Sequence, residues 1–410
     1  MTHFSIIGSA LAGNKGAAAM LESSIATLSQ RVDNASFTLF SMYPDEDARL
    51  NEYANLEIVA ATPRQLGVTI NTLALLYRIL PPLRPLLRRR SAAVRALTRS
   101  VALLDQGGIT FTDGREKFLL YNVASILPAL NTRTPVIKCA QAIGPFEGSL
   151  NRRIAKIYLP KMERIVTRGA ITHSFAEQLG LTNIVQGADY AFSLELDGTE
   201  RDAVASHVDL SFFDHGTEVV GFAPSVVMQK KVDARGGDYI GGIVDAMTAE
   251  LEAGRRVALI PHSVRVGTDK THNNDLPLCR EIAAKLGDRD GVLFIDDDLS
   301  SQQLRYIIGL CTRFVTSRFH AMISSLSMGV PTVVIGWSHK YQEVLDLFGL
   351  SEWAFGSDEF SAQKLTAELS RLADRDAEVR AAIVSALPAV KALSISQADL
   401  IADVARESRR

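Results

Sequence analysis

The sequence contains little cysteine and almost no net charge. Its 410 residues include only three cysteines, which are widely spaced in apolar or helical-looking surroundings: Cys139, Cys279 and Cys311. We predict that they are reduced and structural, because a disulfide framework needs an even set at regular spacings. Lysine and arginine number 44 against 46 acidic residues, which gives a formal net charge of −2. This balance argues against nucleic-acid binding, which normally requires a clear basic excess.

Targeting and membrane-spanning signals are also missing from the sequence. Residues 1–8 lack a charged segment followed by a long apolar one, so they do not resemble a secretory signal. No uninterrupted apolar run reaches the roughly 18 residues that a membrane span needs. We therefore expect the protein to work in a bacterial-type cytoplasm.

Metal-binding motifs are absent as well. The sequence has no His-x-x-x-His or paired-cysteine motif, and the run Asp296, Asp297 and Asp298 follows a predicted strand, as a polar loop would. Three histidines show no partner pattern and are expected to be structural or at the surface: His3, His173 and His272. We predict a metal-independent protein without a cofactor.

Short β-branched runs alternate with longer helical patterns along the chain, which is typical of parallel βαβ units. Strands are predicted at residues 4–8, 36–40, 57–60, 101–105, 136–140, 165–167, 219–223, 256–260, 292–295, 314–316 and 332–335. A polar stretch at residues 196–217 interrupts the alternation. We therefore predict an α/β protein with two doubly wound domains, 1–215 and 216–410, which face a central cleft. We expect the last helices to pack back on the first domain.

Residues 66–104 form a basic and apolar insertion in an otherwise neutral sequence. They contain seven arginines, many Leu, Ile and Val residues, and no Asp or Glu. Such a segment either lies on an anionic membrane surface, binds an anionic lipid-linked substrate, or forms a pair of helices whose arginines face water. Pro81, Pro82 and Pro85 would break any single long helix here.

Three glycine-rich turns follow predicted strands. The first, at residues 8–16, approaches a Walker A loop, but Asn14 stands at the lysine position and Gly16 where Ser or Thr would hold Mg²⁺. We therefore exclude a nucleotide hydrolase of that type and expect a loop whose backbone approaches a ligand closely. The other turns contain Gly107-Gly108 and Gln141-Ala-Ile-Gly144-Pro145-Phe146.

The most informative stretch runs from Phe314 to Ile335, because it places Arg318 and His320 where an apolar strand changes to a helix. In a parallel sheet, strand carboxyl ends and the following helix N-termini favour an anion. These two residues therefore either bind an anionic ligand or merely cap a helix. Other charged or titratable residues follow strands in the same way: Arg168, His262, His339 and Lys340.

Together, these motifs resemble the polysaccharide pyruvyl transferases. The resemblance covers nearly the whole chain and rests on Gly13-Asn14-x-Gly16, Gly107-Gly108, Gln141-Ala-Ile-Gly144-Pro145-Phe146, Arg168 with Ser174, Asp189, Pro261-His262, Ser317-Arg318-x-His320-Ala321, Gly329-Val-Pro331 and Lys340. Its most specific pieces are the Gln-x-Ile-Gly-Pro-Phe turn and the Ser-Arg-x-His-Ala helix start. The chain departs from the family pattern at Ala17 and Gln106, where the family often has Asp and Gly.

The resemblance implies a GT-B-like pair of Rossmann-type domains, with the acceptor on the first and phosphoenolpyruvate on the second. It implies transfer of the enolpyruvyl group of phosphoenolpyruvate onto two hydroxyls of a sugar, with formation of a pyruvate ketal and release of phosphate. The sugar would belong to a bacterial polysaccharide or to a lipid-linked oligosaccharide precursor. Phosphoenolpyruvate would thus be a donor substrate and not a cofactor.

The chemistry of that transfer assigns roles to the candidate residues. Arg168 and Arg318 are expected to bind the donor, because a guanidinium fork matches carboxylate and phosphate. His320 is expected to protonate the methylene carbon, and either His320 or His262 would then take a hydroxyl proton. Further substrate contacts are expected from Asn14, Lys15, Gly16, Gly107, Gly108, Gln141, Gly144, His339 and Lys340.

Two other classes of function stay open at this point. A nucleotide-sugar-dependent GT-B glycosyltransferase would use the same architecture and hold a diphosphate at helix N-termini. A non-catalytic glycan-binding relative would bind an acceptor without turnover. The three functions are a pyruvyl transferase, a glycosyltransferase and a glycan-binding protein. They differ in the donor that the protein consumes, if it consumes one.

Overall fold

The computed structural model describes residues 2–214, 216–266, 273–336 and 338–407. The chain divides into two compact units, and most contacts of each unit are made within that unit. Unit 1 contains Met1–Ala12, Met20–Ser193 and Lys391–Arg410, and unit 2 contains Gly13–Ala19 and Leu194–Val390. This division differs from the predicted segments 1–215 and 216–410, because the main part of unit 2 already begins at Leu194. In addition, Gly13–Ala19 belongs to unit 2 and Lys391–Arg410 to unit 1.

Unit 1 is built on a seven-stranded parallel sheet with the strand order β3-β2-β1-β4-β5-β6-β7. Its strands are β1 Thr2–Ile7, β2 Ala35–Ser41, β3 Leu56–Ala60, β4 Ser100–Asp105, β5 Val136–Gln141, β6 Arg164–Thr167 and β7 Ile184–Gln186. Helices on this part of the chain are α1 Lys15–Arg31, α2 Pro44–Leu50, α3 Asn71–Ile79, α4 Arg84–Arg90, α5 Ala92–Arg99, α6 Leu119–Thr132, α7 Ser149–Tyr158 and α8 Ala170–Gln178. Both β1 and β5 are buried along their whole length, as expected of strands covered on both faces.

Unit 2 is built on a six-stranded parallel sheet with the order β10-β9-β8-β11-β12-β13. Its strands are β8 Val219–Ala223, β9 Arg256–Leu259, β10 Val292–Phe294, β11 Arg313–Thr316, β12 Thr332–Gly336 and β13 Ala354–Gly356. Its helices are α9 Glu200–Ala205, α10 Val226–Asp233, α11 Tyr239–Glu252, α12 Leu276–Leu286, α13 Ser301–Gly309, α14 Phe319–Ser327, α15 His339–Asp346, α16 Ala362–Asp374 and α17 Asp376–Glu407, whose last part belongs to unit 1.

The two sheets share one topology. In each, the chain runs from the first strand to one edge and then continues on the other side of the first strand. The strand order therefore reverses between β1 and β4 in unit 1 and between β8 and β11 in unit 2. Ligands of doubly wound sheets bind outside the strand carboxyl ends at such a reversal. The prediction of two doubly wound α/β domains is confirmed by these sheets.

By length and composition, one helix among the described residues could cross a membrane: Asp376–Glu407. The helix pair Gln65–Ile79 and Pro81–Arg90 passes the same test when joined, but it is bent by 118° at the break. One or two such helices are weak evidence for a membrane span, because a core helix of a soluble protein passes the same test.

Candidate active site

The turn from β11 to α14 lies at the strand-order reversal of unit 2. Arg318 precedes the first helical residue in an extended conformation, and its backbone N–H donates to the Thr316 hydroxyl at 2.9 Å. The same hydroxyl lies 3.2 Å from the carbonyl oxygen of Ala223, at the end of β8. The hydroxyls of Ser317 and Tyr239 are 2.8 Å apart. These contacts hold the turn against the neighbouring strand and fix the direction of its side chains.

The guanidinium of Arg318 is oriented by a carboxylate and an amide. Its side chain is 12% exposed and forms an ion pair with the fully buried Asp275, while Nη1 donates to Asn273 Oδ1 at 2.9 Å. Burial raises the pKa of Asp275, and the neighbouring Arg318 acts in the opposite direction. Asp275 also accepts from the backbone N–H of Val226 at 3.1 Å. The fork is therefore held in place before any ligand binds.

The second part of the first glycine-rich turn, from Gly13 to Gly16, belongs to unit 2. The Gly13 carbonyl accepts from the backbone N–H of Val264 at 3.1 Å, and Asn14 forms an antiparallel bridge with Ser263. The Asn14 side chain accepts from the backbone N–H of Gly16 at 3.1 Å, as a helix N-cap does. These contacts bring the N-terminus of α1 to the segment that follows β9.

The imidazole of His320 packs directly on the backbone of Gly16. A Cβ atom built on Gly16 would lie 2.0 Å from both Cγ and Nδ1 of His320, a distance that no atom pair can accommodate. The His320 ring also contacts the ring of Phe319 edge-on, with the two ring centroids 5.0 Å apart. Glycine at position 16 is thus required by packing, in a helix where alanine would otherwise be favoured.

Two further basic residues share this neighbourhood. Lys15 is 3% exposed and forms an ion pair with Asp298 at 2.5 Å. His262 is buried, and its pKa lies well below the usual value because of desolvation and because His320, Arg318 and Lys15 are nearby positive groups. His262 is therefore neutral near pH 7, where it can accept a proton or a hydrogen bond.

The residues at the start of α15 lie close to the same turn. The Lys340 ammonium stands 4.5 Å from the centroid of the Phe319 ring and 5.2 Å from that of Tyr341. The Tyr341 hydroxyl donates to the Ser317 carbonyl at 3.0 Å. His339 lies beside a cavity of about 430 Å³ that is also lined by Lys231, Arg235, Ser338, Gln342 and residues 354–359.

Two of the predicted site residues of unit 1, Gln141 and Gly107, take part in a buried polar network. Gln141 accepts from Thr110 at 2.6 Å and from the Lys138 ammonium at 3.0 Å, and it donates to the Asp105 carbonyl at 2.8 Å. Lys138 and Asp105 form a buried ion pair at 2.6 Å. The Gly107 N–H donates to the Asp105 carboxylate at 3.0 Å. These bonds show that Gln141 and Gly107 have a structural role in unit 1. Their contact with a substrate stays a prediction.

Arg168 is buried in unit 1. Its side chain is 1% exposed, and Nε lies 3.0 Å from the carboxylate of Asp189. A Cβ atom on Gly108 would lie 3.7 Å from Arg168 Nη2, within ordinary contact distance. Gly144 has a φ of +78°, and a Cβ there would lie 2.7 Å from Phe175. The roles of Arg168, Gly108 and Gly144 in ligand binding stay predictions.

Several residues of the site have no recognisable signal in the sequence. Asp275 and Asp298 hold Arg318 and Lys15, yet Asp275 precedes helix α12 as an ordinary capping residue would, and Asp298 ends an acidic run that we interpreted as a polar loop. What distinguishes these two carboxylates from ordinary surface carboxylates is that each pairs with a basic residue from a distant segment of the chain. Within the described ranges, no group of three His, Cys, Asp or Glu residues could hold a metal ion.

The histidines outside the predicted site differ in their surroundings. His3 contacts the hydroxyls of Ser36 and Thr38 at 2.9 and 3.0 Å, and burial lowers its pKa to about 4. His173 contacts the Thr167 hydroxyl at 3.0 Å. His272 lies outside the described residues.

Comparisons with known proteins give one family and one fold. The model of the family described as polysaccharide pyruvyl transferase matches residues 14–339. The amylovoran biosynthesis protein AmsJ of Erwinia amylovora is 24% identical over 298 residues, which cover 70% of this chain and 68% of AmsJ. These matches confirm the resemblance found in the sequence.

Two solved structures illustrate the likeness in fold. UDP-GlcNAc 2-epimerase from Neisseria meningitidis, bound to UDP-GlcNAc, superposes with a TM-score of 0.64 at 11% identity and covers 99% of this chain and 100% of its own. Anabaena Alr3699/HepE in complex with UDP-glucose superposes with a TM-score of 0.56 at 13% identity and covers 100% of both chains. The predicted GT-B-like fold of two Rossmann-type domains is confirmed.

We predict that Gly16→Ala destabilises the protein, although alanine is favoured in helices. The new methyl group overlaps the His320 ring, and forced overpacking costs about 1–3 kcal/mol. The matched control is Gly67→Ala, since a Cβ on Gly67 meets open space and should raise stability by up to about 1 kcal/mol. Urea unfolding measures both. The Cβ atom of His320 itself would lie 2.3 Å from the new methyl group, so the double variant Gly16→Ala with His320→Gly, which removes that atom, should recover part of the loss. Equal stabilisation by Gly16→Ala and Gly67→Ala would contradict this packing.

The buried neutral state of His262 predicts a pH-dependent stability. Unfolded His262 gains a proton below about pH 6.5, whereas the folded protein, with a depressed pKa, does not, so stability falls as the pH drops. The slope reaches about 1.4 kcal/mol per pH unit for this residue. In urea unfolding between about pH 7.5 and 5.5, His262→Gln should show a shallower slope. His207→Gln, at a side chain that is 46% exposed, is the matched control for the removal of a histidine. An unaltered slope in His262→Gln would show that His262 gains its proton at the same pH in the folded and unfolded states, which contradicts a lowered pKa.

Proposed function

Since the chain belongs to the polysaccharide pyruvyl transferase family, we propose that it transfers the enolpyruvyl group of phosphoenolpyruvate onto two hydroxyls of a sugar. The product is a pyruvate ketal in a bacterial polysaccharide or its precursor, and the leaving group is phosphate. The relative named for amylovoran biosynthesis supports a role in making an exopolysaccharide.

The observation that carries the proposal is the basic group at the strand-order reversal of unit 2. Arg318, Lys15 and His320 lie close enough to the buried His262 for their charges, after burial itself, to lower its pKa. Phosphoenolpyruvate presents a carboxylate and a phosphate, so its site needs several cations in fixed positions. The N-terminus of α1, capped by Asn14, adds a partial positive charge at the same place.

Arg318 is the residue we assign to the donor's anionic groups. Its planar fork is already oriented by Asp275 and Asn273, so binding needs little reordering of the side chain. Lys15 is assigned to the same donor as a point charge, and it would exchange part of its contact with Asp298 for the ligand. His339 and Lys340 are assigned to the phosphate side.

His320 is the residue we assign to proton transfer. It donates a proton to the methylene carbon, and the oxocarbenium-like carbon that results is attacked by the first sugar hydroxyl. The second hydroxyl then forms the other C–O bond as the C–O bond to phosphate breaks. Of the two hydroxyl protons released, one restores His320 and the other leaves with phosphate. Neutral His262 is the alternative acceptor for a hydroxyl proton.

The remaining assignments follow the resemblance. Gly107, Gly108, Gln141 and Gly144 of unit 1 are assigned to the acceptor side, and Arg168 is proposed as a second donor arginine. We propose that the acceptor is a sugar or a lipid-linked oligosaccharide, used in the cytoplasm at the inner face of the membrane. The reaction is proposed to need no metal, so turnover should survive a chelator.

Product analysis tests the reaction itself. The purified protein is incubated with phosphoenolpyruvate and a panel of hexose acceptors, and the products are examined by mass spectrometry and a phosphate assay. We expect an acceptor whose mass gain fits a ketal that keeps a free carboxylate, with one phosphate released per transfer. Release of a nucleoside diphosphate from a sugar nucleotide would favour a glycosyltransferase, and acceptor binding with no product from any donor would favour a glycan-binding protein.

Two substitutions separate donor binding from proton transfer. Arg318→Lys should weaken phosphoenolpyruvate binding by roughly 10- to 100-fold, the loss of one or two charge-assisted hydrogen bonds. His320→Gln should keep donor binding and lower turnover by about 100-fold or more. The matched controls are Arg280→Lys and His207→Gln, both exposed residues of unit 2 outside the site. Calorimetry gives donor binding and the phosphate assay gives turnover; equal loss of both in His320→Gln would remove its assignment as proton donor.

A further inference from the structure

Exposed apolar side chains are concentrated in one segment of unit 1. Among the described residues, fourteen large apolar side chains are exposed, and six of them lie between residues 68 and 86. Isolated exposed leucines are normal on a protein surface, but a cluster of them marks a surface that contacts something else. The cluster consists of Val68, Leu75, Ile79, Leu80, Leu83 and Leu86.

Five of these side chains lie around a sharp bend in the chain. The helices Gln65–Ile79 and Pro81–Arg90 meet at 118°. Leu75 lies one helical turn before Ile79, so these two residues lie on the same face of the first helix. Leu86 lies one turn after Leu83, so these two lie on the same face of the second helix. We call Leu75, Ile79, Leu80, Leu83 and Leu86 the apolar bend; their side chains are 38–57% exposed.

The opposite face of the same helices is attached to unit 1. Tyr77, Leu87 and Val94 form a small core of their own. Asn71 donates to the Ala124 carbonyl at 3.0 Å, and Arg78 donates to the Asn131 side chain at 3.3 Å, both on helix α6. The helices therefore have a packed inner face, and the apolar bend is a second apolar surface that the core of the unit does not use.

The charged residues in the segment that contains the apolar bend are all basic. No acidic residue occurs between Glu57 and Asp105. Arg89, Arg90 and Arg95 are exposed, and their side chains form no hydrogen bond or ion pair with the part of the chain that the structure describes. We call these three residues the basic flank. By contrast, Arg84 and Arg88 donate to the backbone carbonyl and the hydroxyl of Tyr77, respectively.

We propose that the apolar bend and the basic flank form a docking surface for an anionic lipid bilayer. The leucines would enter the boundary between headgroups and acyl chains, and the arginines would bind anionic headgroups. An apolar surface in a segment whose charged residues are all basic matches such a bilayer better than a protein, whose surface carries both signs. The segment would lie on the membrane, because neither helix has the roughly 20 residues needed to span it and the two are bent by 118°.

The docking surface extends the proposed function, and rests on it, only in that a docked enzyme would meet a lipid-linked acceptor directly. Membrane binding itself does not depend on the reaction. A failure to bind vesicles would leave the transfer intact, and an absence of transfer would leave vesicle binding intact.

Vesicle sedimentation tests the surface on the full-length protein. The vesicles contain phosphatidylcholine either alone or with about 30 mol% phosphatidylglycerol. We expect binding to the anionic vesicles to exceed binding to the neutral ones by at least tenfold, and to fall at least tenfold at about 0.5 M NaCl.

Two variants separate the apolar and the electrostatic contributions. Leu83→Ser with Leu86→Ser should lower the partition coefficient on anionic vesicles at least tenfold, and Arg89→Gln, Arg90→Gln and Arg95→Gln together should do the same. The matched controls remove equal numbers of exposed groups elsewhere: Leu50→Ser with Val185→Ser, and Arg201→Gln, Lys230→Gln and Lys285→Gln together. All changed residues are exposed, so thermal melting should show each variant folded, and turnover on a soluble acceptor should be unchanged.

Three results would overturn the proposal. The first is an absence of binding to anionic vesicles. The second is a loss of vesicle binding in the control variants that is as large as the loss in the variants of the apolar bend and the basic flank. The third is a dimer of the unchanged protein that becomes a monomer in the Leu83→Ser and Leu86→Ser variant, which would assign the apolar bend to a second copy of the chain. Sedimentation velocity without vesicles distinguishes this last case.

Discussion

The contact between the His320 imidazole and the backbone of Gly16 is the constraint on which the candidate site depends. It requires a residue without a Cβ at the start of α1, and it requires the segment from Gly13 to Ala19 to pack within unit 2. The same packing places Lys15 beside His262, whose pKa is lowered by burial and by its basic neighbours. Several positive groups can stay close together here because Asp275 and Asp298 partly balance them.

Each basic residue of this group is held by a different part of unit 2. Arg318 follows β11, His262 follows β9, and Lys15 begins a helix that the Asn14 side chain caps. Such an arrangement concentrates positive charge at one end of a parallel sheet, where the helix N-termini act in the same direction. The carboxylate partners fix the direction of the side chains, which lowers the cost of ordering them around a ligand.

Most of the fold could be predicted from the sequence because buried parallel strands are nearly continuous apolar runs. Eleven predicted strands coincide with β1 to β6 and β8 to β12 within a few residues. The two strands that were missed, Ile184–Gln186 and Ala354–Gly356, have three residues each and lack the apolar run of four residues that marks the equally short edge strand β10 at residues 292–295. The assignment of residues 13–19 to unit 2 was also missed, because it rests on contacts with Ser263 and Val264, about 250 residues away. For the same reason the sequence identified Arg318, His320 and His262 as candidates without their partners, and it gave no sign that Arg168 pairs with the buried Asp189.

Binding of a small anionic donor by the basic group of unit 2 can be seen in a crystal structure of the protein soaked with phosphoenolpyruvate. We expect the donor's carboxylate and phosphate to lie within hydrogen-bonding distance of Arg318 and Lys15, with the methylene carbon facing the His320 ring. A donor bound elsewhere, with Arg318 still contacting Asp275 and Asn273 alone, would show that this group is not the donor site.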